Sequence, residues 1–237
     1  MPITFTPSTT PTLARRHGAR SLAPRILLFA AGLAAVALPA CSSTYYGVME
    51  QLGVHKRDIL VDRVEEGREA QQDAKQEFQS ALKAFQEATG SSGGKLQDVY
   101  ERLNDHYESS ASRVETVREK IADIEKVAND LFREWKREIG EIHSADLKAK
   151  SEQTLSDTRK RYGELIAAMK RAEKKMEPVL VTFHDHVLFL KHNLNAQAIA
   201  SLQTNLGAIE TDVAALVHEM EASIAEADAF LKDMGQS

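Results

Sequence analysis

"LQDVYERLNDHYESSASRVETVREKIADIEKVANDLFREWKREIGEI", Leu96 to Ile142, decides the fold. Alternate steps of four and three from Leu96 land on Leu96, Tyr100, Leu103, Tyr107, Ser110, Val114, Val117, Ile121, Ile124, Ala128, Leu131, Trp135, Glu138 and Ile142. Only Ser110 and Glu138 interrupt the apolar run. A seam sustained this far has the period of helices packed along one another. At 1.5 Å per residue it makes roughly 70 Å of helix. For Trp135 and the tyrosines the expected role is packing in that seam, not the holding of a cofactor.

The period extends to the N-terminal side. From Arg57 to Thr89 one set of positions holds Val64, Gln71, Phe78 and Phe85, and the other Leu60, Gly67, Ala74, Ala81 and Ala88. Small residues on a seam let a neighbouring helix come close. "GSSGGK", Gly90 to Lys95, divides this segment from the next. It fails as a phosphate loop, because Thr89 stands where the first glycine belongs and Leu96 where a hydroxyl residue belongs. The expectation is a turn between helices, and a nucleotide-binding or other enzymatic role is the least supported function.

On the C-terminal side "GEIHSADL", Gly140 to Leu147, breaks the pattern, with Ser144 as the expected N-cap of the next helix. That helix carries Leu147, Ser151, Leu155, Thr158, Tyr162, Leu165, Met169, Ala172 and Met176 on one side, and its polar first half predicts loose packing there. Pro178 is expected to start or kink the following element. In "VLVTFHDHVLFLKHNLNAQAIASL" Val187, Leu190, Leu194, Ala198 and Leu202 form one face, widened by Phe183, Phe189 and Ile199. Leu206, Ile209, Val213, Leu216, Met220, Ala227, Phe230 and Met234 continue it, with Gly207 as the expected bend. No strand pattern occurs. The predicted class is all-α: an elongated antiparallel helical bundle or coiled coil of four or five long helices over residues 55–237.

Residues 1–54 read differently. No acid precedes Glu50, and Arg15, Arg16, Arg20 and Arg25 precede the apolar run "ILLFAAGLAAVALPA", Ile26 to Ala40. A basic segment, an apolar run and small residues at its end make a secretory signal. The run falls short of the roughly 20 apolar residues that span a bilayer. It ends in "LPAC", and Cys41 is the only cysteine in the chain. This resembles a bacterial lipobox, although Pro39 departs from the small residue usual at its place. The resemblance implies that the thiol of Cys41 receives a diacylglyceryl group and that the chain is cut between Ala40 and Cys41. With about 0.8 kcal/mol for each buried methylene, three acyl chains would make the attachment permanent. An ordinary cleavage after "AVA", Ala35 to Ala37, is the alternative and leaves a soluble periplasmic protein. In lipoproteins of this type an Asp after the cysteine goes with inner-membrane retention, so Ser42 implies the periplasmic face of the outer membrane. Residues 1–40 are then a signal peptide, and 41–54 a lipid anchor and tether.

Thirty basic and 35 acidic residues give a net charge of −5. Residues 1–40 hold four arginines and no acid, so the remainder carries −9. That balance opposes nucleic-acid binding, which calls for a basic surplus. "FHDHVLFLKHN" gathers three histidines and an aspartate. On a helix His184 and His186 point nearly opposite ways, and Asp185 and His192 share a face roughly 10 Å apart. Neither pair has chelating spacing, so no metal is expected. The motifs G-x-S-x-G, H-E-x-x-H and C-x-x-C do not occur. No catalytic residue, cofactor or small-molecule substrate is therefore expected. In "LKHNLNAQA", with Leu190, Leu194 and Ala198 facing inward, Lys191, His192, Asn193 and Asn195 fall on the flanks and outer side of a helix. Asn is less favourable there than better helix formers by up to roughly 0.5 kcal/mol. Two so close together mark either hydrogen bonds within the bundle or an interaction surface.

At "KKMEPVLVTFHDHVLFLKHNLNAQAIASLQ", Lys174 to Gln203, the chain resembles an uncharacterised bacterial family, domain-of-unknown-function family 2959. The glycine-rich turn, the Trp135 region and the closing "SIAEADAFL" add to the likeness. The resemblance implies an exported, often lipidated, helical protein and supplies no activity. The expected role is structural or interaction-based, a scaffold or adaptor. Its contacts would be the membrane through the lipid anchor, and an unknown envelope protein or a second copy of itself. The alternative is an accessory subunit of an envelope transport or stress system, acting through the hairpin tip near Gly90 to Lys95.

Overall fold

The computed structural model describes residues 55–90 and 95–236. They form four long helices: α1 (Lys56–Gly90), α2 (Leu96–Glu141), α3 (Ala145–His192) and α4 (Ala196–Gln236). No strand occurs among the described residues. The helices pack in cyclic order, α1 on α2, α2 on α3, α3 on α4 and α4 back on α1. Short connections force consecutive helices to run antiparallel. Ion pairs record that register. From α1 to α2 they link Lys56 to Glu134, Glu66 to Lys120 and Asp73 to Arg113. From α1 to α4 they link Arg68 to Asp228 and Lys75 to Glu221. The exposed pairs among them contribute at most about 1 kcal/mol each, so they mark the register more than they hold it.

The core does the holding. Every residue of the two α1 sets named above is buried. Phe78 and Phe85 cross the core to Phe183 of α3, with ring centroids 5.9 and 4.9 Å away. All three rings are fully buried, and each stabilises the fold by about 1.5–3 kcal/mol. The small seam residues have a steric reason. A Cβ on Gly67 would lie 2.7 Å from Ile124 Cδ1 and 2.9 Å from Met169 Cε, so side chains from α2 and α3 fill the space it would need. One polar pair interrupts the core. Ser223 Oγ donates to Gln71 Oε1 at 2.7 Å, and Gln71 Nε2 donates to the Met169 carbonyl at 3.4 Å. Sliding α4 along α1 would leave these buried groups unpaired, which ties the two helices to one register.

The helix ends differ from expectation in three places. α3 runs through Pro178, and α4 through Gly207. Pro178 is exposed and its missing N–H costs about 3 kcal/mol. Met176, Val179, Leu180 and Phe183 are buried on either side of it, and at about 1.5–3 kcal/mol each they outweigh that loss. The break falls instead at Asn193 to Asn195, inside the stretch read as one face. Asn193 Nδ2 donates to the Phe189 carbonyl at 2.9 Å and closes α3, while Asn195 Oδ1 accepts from the Ala198 N–H at 3.1 Å and opens α4. Leu190 and Ala198 are buried as expected, but Leu194 is 41% exposed. At the α2–α3 connection Ser144 Oγ accepts from the Leu147 N–H at 3.5 Å, the expected cap.

Candidate functional site

The antiparallel arrangement gives the bundle two unlike ends. The close of α1 at Gly90 and the turn at Asn193 to Asn195 share one. There Lys191 and His192 are exposed in the last turn of α3, where the helix dipole favours cations. Asn195 is exposed and Asn193 half-buried, and both are engaged in capping. Beside them Leu188 and Phe189, with Leu194, form an exposed apolar strip. Residues 91–94 of the glycine-rich turn lie outside the described residues, as do Ala40 and Cys41.

The histidines of α3 are placed apart. His184 stacks on Tyr107 of α2 at 4.7 Å, whereas His186 meets Phe85 of α1 edge-on at 6.1 Å. Burial holds the His186 imidazole below its ordinary pKa, with Asp185 opposing the shift. Among the described residues no group of three or more His, Cys, Asp or Glu converges on a metal-sized site.

At the other end lie the start of α1, the close of α4 and the α2–α3 connection. Lys56 meets Glu134, and Arg57 donates to the Met234 carbonyl. From that level α2 and α3 run on past α1 and α4 by about 10 Å, the rise of six or seven helical residues. Where the four-helix section stops, a cleft of about 280 Å³ opens between the helices, lined by Arg57, Leu131, Glu134, Trp135, Glu138, Thr154, Thr158 and Met234. Trp135 Nε1 donates to Ser151 Oγ at 2.9 Å, which fixes its ring in the wall. Apolar, hydroxyl and charged side chains line it together. The sequence held one sign of this cleft: Glu138 interrupts the seam at the height where α1 stops, and it is exposed.

No helix among the described residues is long and apolar enough to cross a membrane. In comparison with known families, the model described as "Protein of unknown function (DUF2959)" matches residues 45–234. No curated protein matches the chain, and no solved structure does.

Proposed function

The chain belongs to the DUF2959 family of proteins of unknown function, and we propose that it serves as a lipid-anchored envelope protein with a scaffold or adaptor role. The observation that carries this reading is Cys41, the sole cysteine, standing at the end of "LPA" after a basic segment and an apolar run. A thiol needed for structure would call for a partner cysteine or a metal cluster; one needed for acylation has to stand where this one does. The bundle then hangs by its N-terminal end from the periplasmic face of the outer membrane, presenting helix faces and the two turns of its far end. No reaction is assigned to it. Metabolic labelling with a fatty acid, followed by fractionation, tests the reading. The native protein should take up label and resist a carbonate wash, and Cys41→Ser should lose both properties. A Cys41→Ser protein that stays with the membrane after the wash overturns it.

A second reading, an accessory subunit of an envelope transport or stress system, draws support from exposed Leu188, Phe189 and Leu194 beside Lys191 and His192. A photocrosslinker at Leu194 should then capture one envelope protein that a crosslinker at Gln153, at the opposite end, does not. Equal capture from both sites speaks against it.

A further inference from the structure

The acidic surplus of the bundle is not spread evenly. Residues 55–59, 128–163 and 230–236, around the start of α1, the α2–α3 connection and the close of α4, hold 11 basic and nine acidic side chains. The other described residues hold 15 basic and 25 acidic ones. Salt screens charge within roughly 8 Å at physiological ionic strength, so a surface facing this end meets its local balance and not the negative charge of the whole chain.

The cations there are gathered in one place. A groove of about 410 Å³ between α2 and α3 is lined by Lys136, Lys148, Arg159 and Ser156, with Glu152 as the one acid in its lining. Lys136, Lys148 and Glu152 form no ion pair among the described residues, and Arg159 donates to the Phe132 carbonyl at 3.1 Å, not to a carboxylate. Next to Lys148, in the first turn of α3, Leu147 is 60% exposed, the most exposed of the large apolar side chains described. Cations without carboxylate partners beside an exposed leucine suit a headgroup layer, where phosphates lie above an acyl boundary.

We propose that this hairpin end rests on the membrane that holds the anchor, with Lys136, Lys148 and Arg159 on the phosphates of anionic lipids and Leu147 entering the acyl boundary. The proposal rests on the lipid-anchor reading, and chain length then supplies the occupant. Cys41 and His55 are 14 positions apart, at most about 50 Å of chain. An anchored protein therefore keeps the start of α1 within reach of lipid, and the α2–α3 hairpin projects past α1 at that same end.

A fluorophore on Ala149→Cys reads the contact when the native chain is reconstituted into vesicles whose headgroups carry a nitroxide quencher. It should be strongly quenched when the vesicles contain phosphatidylglycerol. It should stay bright in phosphatidylcholine alone, as should a fluorophore on Ala208→Cys at the far end of the bundle. Lys136→Ala and Lys148→Ala should each lower the ratio of docked to free bundles about fivefold. Leu147→Asp should lower it too, with the helical circular dichroism unchanged. Four results overturn the proposal: no quenching at position 149; equal quenching in phosphatidylcholine; quenching that none of the three substitutions alters; and quenching only at high protein density, which assigns the hairpin end to a second copy. The carbonate wash separates this failure from that of the anchor. Protein that resists the wash but shows no quenching refutes the headgroup contact alone, whereas native protein that the wash removes refutes the anchor, and the contact with it.

Discussion

Ser223 and Gln71 hold a hydrogen bond between helices, with both side chains wholly withdrawn from water. Ser223→Ala leaves Gln71 Oε1 buried without its donor, at a cost of about 1–3 kcal/mol. Urea denaturation should show that loss, and Gln71→Leu with Ser223→Ala should recover most of it, because neither polar group then remains. His186 predicts a pH dependence. Its imidazole binds a proton less readily in the folded chain than in the unfolded one. As pH falls below about 6.5, the unfolded state takes up protons first. Stability is therefore full above that value and declines as pH drops through the lowered pKa. His186→Phe, which keeps a ring against Phe85, should flatten the fall in melting temperature on acidification; an unchanged slope refutes the assignment. Most residues at this scale were legible, since the α1 seam fell on buried positions throughout. The interruptions were not. Ser110 is buried, its Oγ without a hydrogen-bond partner among the described residues, whereas Glu138 is exposed. A heptad reports which side of its own helix a residue occupies, but not whether the other helices reach that height.

Between helices the sequence was a weaker guide, because Asn is ambiguous there. In a helix-period window it reads as a surface residue, yet its short amide reaches its own backbone and ends the helix. The spacing of four from Leu190 through Leu194 to Ala198 concealed the break, since it carries an apolar face straight across a tight turn. Pro178 and Gly207 end no helix: their intrinsic penalties are real, but the packing of flanking residues exceeds them. Ser144 was identified correctly because a visible pattern break preceded it. The Asn195 cap is open to measurement. Asn195→Ala should lower stability by about 1 kcal/mol, and Asn195→Asp, which keeps an accepting oxygen, by much less. Equal melting temperatures for the two would show that the cap contributes nothing, and would return Asn195 to the docking surface.

Across the whole bundle, the all-α class with four or five long helices and the antiparallel order followed from seam period and connection length. Glu138 was the one sign of the cleft, which arises where helices of unequal extent part company. The even number of helices among the described residues has a mechanical consequence. The start of α1 and the close of α4 lie at one end, and the turn at Asn193 to Asn195 at the other. A load applied between His55 and that turn acts along the helices and strains many side-chain layers in shear at once. A load between His55 and Gln236 peels α1 from α4 one layer at a time. In single-molecule pulling the first geometry should break at clearly higher force than the second. A protein held at its N-terminus and gripped at its far turns would be loaded in its strong direction.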